Sequence, residues 1–232
     1  MIGVICTAGN DVRMGGLLEE AGVATKSLLP VGASPIILKT ISELKRFGVD
    51  DILIVATQKT VDVLYDVTGV RTVPQMPGPY GTAAAVATAI TTFGHDKDFL
   101  ISWGDMVFKM PNKHLPGNVL YTCGVSQSKS SRFEGVVCSG DRVLAISPRS
   151  VQKQGPYLMT TGVCSMSSTE DFLQIYKIAA DLMYKNPVEL PFEKILQEMI
   201  YIGIPVFADC LDFFIDFGTR NEYENNLKLL LE

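Results

Sequence analysis

Apolar residues fall along this chain in short blocks, separated by small, polar and turn-forming positions. The first block, Ile2-Gly3-Val4-Ile5-Cys6, is continuously apolar and gives way to Thr7-Ala8-Gly9-Asn10-Asp11. A strand without polar alternation is buried on both faces, as in a parallel sheet. A polar, glycine-rich stretch follows as far as Thr25. After Pro35 the period changes. Ile36, Ile37, Thr40, Ile41, Leu44 and Phe47 recur at helical spacing, and Gly48 stops the pattern. Asp51-Ile52-Leu53-Ile54-Val55-Ala56 then reads as a second buried strand and completes a βαβ unit.

The alternation continues. Arg71-Thr72-Val73 is a short strand, and the small, alanine-rich residues 81–92 predict a tightly packed helix. Phe99-Leu100-Ile101-Ser102-Trp103 is a third apolar strand, ending at Gly104-Asp105. Beyond it the texture changes. Residues 119–125, 135–138, 143–147 and 161–166 are short strands with turn residues between them, which introduces antiparallel members. Helical patterns return over 169–184 and 192–201, residues 206–208 form a further strand, and 221–231 a closing helix. With no repeat, low-complexity run or linker, the expectation is one domain over residues 1–232.

Composition narrows the function. Hydrophobic residues make up 47% of the chain and charged residues 19%, enough for a sizeable core and too little charge for a disordered chain. A net charge of −5 gives no general attraction for polyanions, so nucleic acid and anionic membrane are not expected partners. Phosphates would be bound by a few local cations and backbone N–H groups. The five cysteines (Cys6, Cys123, Cys138, Cys164 and Cys210) form no C-x-x-C pair, and four lie in apolar or β-branched runs. They read as small core residues in a reducing compartment. A basic segment followed by an apolar one is absent from the N-terminus, and no apolar run is long enough to span a bilayer. A cytoplasmic location is therefore expected.

Four segments carry candidate chemistry. Ala8-Gly9-Asn10-Asp11-Val12-Arg13-Met14 follows the first strand; its small residues let N–H groups approach a triphosphate, and Arg13 balances charge. It is neither G-x-G-x-x-G nor a P-loop, and alone it reads equally as a surface turn. Thr25-Lys26-Ser27-Leu28-Leu29-Pro30-Val31-Gly32 sets a lysine at the head of an apolar run, where its point charge suits a fixed phosphate or simply snorkels. Trp103-Gly104-Asp105 puts a carboxylate at the C-terminal end of a buried strand, where open α/β sheets bind ligands and where plain turns also occur. Ile215-Asp216-Phe217-Gly218-Thr219 offers a second acid for a Mg²⁺ site with Asp105, or a helix N-cap at Asp216 or Thr219.

Taken in order, these segments resemble the sugar-phosphate nucleotidyltransferase superfamily. Its A-[AG]-G-x-G-x-R-[LM] loop is similar to Ala8–Met14, and its P-K-x-L-L-P-V-x-G-x-P to Thr25–Pro35. Its G-T-A segment after a glutamine is matched by Gln75 and Gly81-Thr82-Ala83, its G-D by Gly104-Asp105, its T-G by Thr161-Gly162, and its D-[IV]-G-T by Asp216–Thr219. The resemblance implies an α/β, single-domain, Rossmann-like fold, with a mostly parallel central sheet containing antiparallel members and helices on both faces. It implies transfer of a nucleoside monophosphate from a triphosphate to a sugar 1-phosphate or similar phosphate ester, with release of pyrophosphate. By position, Arg13, Lys26 and Asp105 are the catalytic residues. Ala8, Gly9, Asn10, Gln75, Gly81, Thr82 and Gly104 hold the nucleotide, with Gln75 and Gly81 reading the base. Thr161 and Gly162 belong to the acceptor side. Asp105 and Asp216 hold Mg²⁺, with Mn²⁺ as the substitute metal. The glutamine amide favours a pyrimidine, UTP or dTTP.

The chain departs from that pattern at three places. Asp11 stands where the loop has its second glycine, and Thr25 where a proline precedes the lysine. The E-K-P motif whose lysine holds the acceptor phosphate is replaced by Ala145-Ile146-Ser147-Pro148, with Arg149 and Lys153 just beyond as alternative clamps. Two other readings stay open. One is a cytidylyltransferase of the same fold acting on phosphocholine or another non-sugar phosphate, with Tyr157, Trp103 and Phe133 as aromatic contacts. The other is a catalytically silent nucleotide-binding homologue. Oligomeric state is left open.

Overall fold

The computed structural model describes residues 1–9, 11–77, 81–112, 115–125, 134–147, 157–183 and 189–231. The chain opens with β1 (Ile2–Cys6), a 3₁₀ turn over Val12–Met14, a short helix α1 (Leu17–Ala21) and a second 3₁₀ turn over Lys26–Leu28. A two-stranded ribbon of β2 (Pro30–Val31) and β3 (Ser34–Pro35) leads into α2 (Ile36–Arg46). Next come β4 (Asp51–Ala56), α3 (Val61–Thr68), β5 (Thr72–Pro74), α4 (Thr82–Phe93), β6 (Phe99–Trp103) and β7 (Met106–Lys109). The second half holds β8 (Val119–Val125), β9 (Gly135–Ser139), β10 (Arg142–Ser147) and the long β11 (Tyr157–Met166). The chain closes with α5 (Thr169–Met183), α6 (Phe192–Tyr201), β12 (Phe207–Cys210), β13 (Phe213–Asp216) and α7 (Arg220–Leu231).

Nine strands form one sheet in the order β5-β4-β1-β6-β11-β8-β12-β10-β9. The first four are parallel to one another. Beyond β6 the sheet is mixed: β11 is antiparallel to both β6 and β8, β12 is parallel to β8, and β10 is antiparallel to β12 and β9. The mixed α/β architecture expected from the pattern is therefore present, with its parallel pairings concentrated in the N-terminal half.

Both faces of the parallel half are covered, which is why its strands lack polar alternation. Val4, Cys6, Leu53, Val55, Phe99 and Ile101 face one apolar cluster, where α4, α5 and α6 pack. Ile5, Ile52, Ile54 and Leu100 face the other, with Ile37, Ile41 and Leu44 of α2 and Leu64 of α3. Helix α4 is buried along Ala83–Ile90, so its run of small side chains is what lets it lie close to the sheet. A third cluster joins Met14, Leu17, Leu29, Val31, Ile36, Phe217 and Tyr223. It seats the closing helix against the lysine-bearing turn, and the Tyr223 hydroxyl donates to the Pro30 carbonyl at 2.7 Å.

The expectation of a buried core role for the cysteines holds in part. Cys6 and Cys164 are buried, and burial pushes both thiols up. Cys123 and Cys138 are half-buried and Cys210 is exposed. No helix among the described residues is long and apolar enough to cross a membrane.

Candidate active site

The sheet places the site. From β1 the chain moves outward to β4 and β5, then crosses back to β6 on the other side of β1. The C-terminal ends of β1 and β6 are thus a topological switch point, where open α/β sheets leave a crevice for ligands. Cys6 is in register with Trp103, and the Gly104 N–H donates to the Cys6 carbonyl at 3.0 Å. The loops after the two strands therefore lie side by side. Gly104 is required for this approach: a Cβ there would stand 2.4 Å from Thr7 Cγ2 and 3.3 Å from Ser27 Cβ.

Two of the charged candidates, Lys26 and Asp105, meet at this crevice, together with Asp11. The Lys26 ammonium lies 2.7 Å from Asp105 Oδ2, with side-chain exposures of 14% and 11%. It also lies 3.9 Å from Asp11 Oδ1. Burial pulls the ammonium down, but Asp105, by charge and hydrogen bond, and then Asp11 outweigh it, and Lys26 ends above its ordinary value. For Asp105 burial favours the neutral acid, yet Lys26 and the more distant Arg13 hold its carboxyl below the usual range. Both groups are accordingly charged, a buried pair set beside a loop that can admit an anion. Arg13 sits exposed on the first 3₁₀ turn. Gly9 is exposed in the loop after β1, and a Cβ there would lie 3.8 Å from the Lys26 nitrogen. Ala8 is half-buried beside it.

Asp216 is brought to the same place from the other end of the chain. Strand β13 pairs antiparallel with β7, setting Asp216 opposite Met106, the residue after Asp105. The Phe217 N–H donates to the Asp105 carbonyl at 2.8 Å. Asp216 Oδ1 accepts from the Gly218 N–H at 2.9 Å, and Asn226 holds the Asp216 carbonyl at 2.8 Å. The cap of α7 falls to Thr219. Its hydroxyl donates to the Glu222 carboxylate at 2.8 Å and accepts that residue's N–H at 3.3 Å, a side-chain N-cap.

The residues expected to read the base lie at the end of β5 and the start of α4. The Gln75 N–H donates to the Ala56 carbonyl at 2.8 Å, while its side-chain Oε1 is buried without a hydrogen-bond partner. Gly81 begins α4 at φ +119°, and a Cβ there would meet the Leu190 carbonyl at 2.7 Å. The Thr82 hydroxyl oxygen accepts the Phe192 N–H at 2.8 Å, and the Ala83 N–H donates to Leu190 at 3.2 Å. The segment before α6 thus braces the start of α4, a contact with no local sequence signal.

Thr161 and Gly162, expected on the acceptor side, form an irregularity in β11 between Thr160 and Val163. The buried Thr161 hydroxyl donates to the Tyr121 carbonyl and accepts the Val163 N–H, so it shapes the bulge. Gly162, at φ +80°, is covered by the Trp103 indole, whose Nε1 would lie 1.9 Å from a Cβ. Trp103 also packs edge-on against Phe192, with centroids 5.6 Å apart. Asn10, Phe133, Arg149 and Lys153 lie outside the described residues, as does the side chain of Tyr157. An apolar cavity of about 530 Å³ between α5 and α6, lined by Ile175, Ile178, Leu182, Leu190 and Ile195, holds none of these charged groups.

Residues 3–114, just under half of the chain, match the family profile of the MobA-like NTP transferase domain. No curated protein sequence matches the chain. Solved structures match nearly all of it at low identity. A Bacillus anthracis protein assigned as a glucose-1-phosphate thymidylyltransferase, solved with sucrose, gives a TM-score of 0.80 at 18% identity and covers 99% of this chain and 95% of that one. The inositol-1-phosphate CTP transferase of T. maritima gives 0.74 at 14%, over 99% and 94%. The CTP:phosphocholine cytidylyltransferase LicC of Streptococcus pneumoniae gives 0.76 at 18%, over 99% of both chains. The resemblance read from the ordered motifs is borne out at that level: residues 3–114 match a MobA-like NTP transferase domain, and the whole chain shares its fold with solved nucleotidyltransferases.

Proposed function

We propose that this protein is a nucleotidyltransferase that moves a nucleoside monophosphate from a triphosphate to a sugar 1-phosphate and releases pyrophosphate. The observation that carries the reading is the buried Lys26–Asp105 pair at the switch point of a domain matching an NTP transferase family. In this reading the N–H groups around Gly9 and the charges of Arg13 and Lys26 receive the triphosphate and stabilise the charge that develops as pyrophosphate leaves. The attacking oxygen comes from the acceptor phosphate, so the enzyme needs no covalent nucleophile; positioning and charge neutralisation are its contribution. Gln75 supports a base-reading role, because its buried Oε1 has no partner and would accept the N3–H of a uracil or thymine.

The acids suit a hard cation. Asp216 ends β13 opposite Met106, the residue after Asp105, so the two carboxylates come from adjoining segments and offer the oxygen ligands that Mg²⁺ prefers. Asp105 and Asp216 would hold the ion, which when bound supplies Lewis-acid charge to the reacting phosphates. Phosphocholine remains the second acceptor reading, carried by the partly exposed Trp103 beside Gly162. A silent homologue fits less well, because such a chain has no need of a matched lysine and aspartate in the crevice.

Pyrophosphate release with each common triphosphate against sugar 1-phosphates, phosphocholine and inositol 1-phosphate tests the reading. Turnover is expected with UTP or dTTP and a sugar 1-phosphate, to vanish in EDTA and to return with Mg²⁺ or Mn²⁺. Asp105→Asn and Asp216→Asn should each lose most of kcat, and the double variant should be little worse than either, as for groups acting as one unit. Absence of pyrophosphate with every pair would refute the proposal, and full activity in EDTA would remove the metal from it.

A further inference from the structure

Asp11 is the single non-glycine residue at positive φ among the described residues, at +43°. Glycine adopts that backbone without penalty, and glycine is what the resembling loop has there. What Asp11 has instead is a carboxylate divided between two parts of one lysine. Its Oδ2 accepts the Lys26 N–H at 3.2 Å, and its Oδ1 lies 3.9 Å from the Lys26 ammonium. That second oxygen is buried and has no hydrogen bond. Lys26 opens a 3₁₀ turn whose preceding residue, Thr25, gives no side-chain cap. Asp11 supplies the missing cap from 15 positions earlier in the chain. The loop after β1 and the lysine-bearing turn are thereby tied together through one side chain.

The same carboxylate sets a negative charge on the approach to Lys26, beside the pair the lysine makes with Asp105. One ammonium facing two carboxylates has its charge fully engaged before any substrate arrives. Resting on the nucleotidyltransferase reading, we propose that Asp11 is a positioning residue for Lys26: its Oδ2 fixes the turn, and its charge stands in for a triphosphate oxyanion until the nucleotide displaces it. Lys26 is then held ready in the empty crevice, and part of the triphosphate affinity is given up in exchange.

The two halves of the proposal separate by substitution. Asp11→Asn keeps a side-chain oxygen for the Lys26 N–H and removes the charge. Asp11→Gly removes both while relieving the backbone. Amide hydrogen exchange at Lys26, read by NMR on nucleotide-free protein, should be at least about tenfold faster in Asp11→Gly and close to wild type in Asp11→Asn. Calorimetry with the triphosphate, in the absence of acceptor, should show Asp11→Asn binding about fivefold tighter or more, the scale of one charge-assisted contact. That gain should disappear in a Lys26→Met background, since an effect acting through the lysine cannot survive its removal. In turnover, Asp11→Asn should lower the triphosphate KM and leave kcat within about threefold, whereas Asp11→Gly should lose at least about tenfold in kcat. Unchanged exchange at Lys26 in Asp11→Gly overturns the positioning role. An affinity gain that persists without the lysine overturns the stand-in role. A wild-type protein that binds no triphosphate overturns the functional reading, while the exchange measurement still decides whether Asp11 holds the turn.

Discussion

Lys26 and Asp105 show how a buried charge pair constrains what a single substitution can do. At 2.7 Å and with both side chains mostly out of water, removing the ammonium leaves a carboxylate buried and uncompensated. Breaking one partner of such a pair costs about 3–5 kcal/mol. Lys26→Ala is therefore expected to lose turnover by about 10²-fold or more and also to melt several degrees lower, with Mg²⁺ restoring part of the melting temperature by occupying the orphaned acid. Turnover and thermal denaturation with and without Mg²⁺ check this; near wild-type kcat/KM in the variant would remove Lys26 from the chemistry. Lys26 and Asp105 were legible because each ends or heads an apolar run. The part played by Asp11 was not, because its partner lies 15 residues away and a turn aspartate gives no local sign of what it holds.

Elements differ in how openly the sequence announces them. Helix α2 and strands β4 and β6 lie where the pattern sets them, because each carries a period matching its geometry. Helix α3 does not: Val61, Val63, Tyr65 and Val67 alternate like a strand, and only Leu64 is buried in the helix. Strands β7 and β13 are four residues each and are stabilised by one another across the chain, so neither has a signal of its own. The start of α4 lies between these extremes. Its small residues forecast a tightly packed helix, but nothing local foretold that Leu190 would brace Gly81. Gln75, at the end of β5, has a buried side-chain oxygen without a hydrogen-bond partner. A site built to hydrogen-bond a group discriminates strongly against ligands that lack it. Gln75→Ala is therefore expected to flatten the preference among triphosphates by about tenfold or more in relative kcat/KM. An unchanged order of preference would remove Gln75 from base recognition.

At the scale of the whole molecule, the two halves of the sheet divide the work. The parallel half supplies the switch point and the lysine–aspartate pair; the mixed half brings the β11 bulge and the segments that cover Trp103. One acid of the proposed metal pair belongs to β13, near the far end of the chain, yet it lies opposite Met106 of β7. This pairing has a consequence in time. Contacts between distant segments form late, because closing the intervening loop costs entropy before any contact repays it. During synthesis the lysine, Asp11 and Asp105 emerge and can organise long before residues 213–216 exist. The molecule should then pass through a stage with its parallel core formed and its last strand undocked. Refolding followed by circular dichroism and by pyrophosphate release should show activity returning after most of the secondary structure; simultaneous recovery would mean that the ribbon docks with the core. If the lag holds, catalytic competence is a report on the final folding event, and a chain delayed at that event can hold a nucleotide before it can use one.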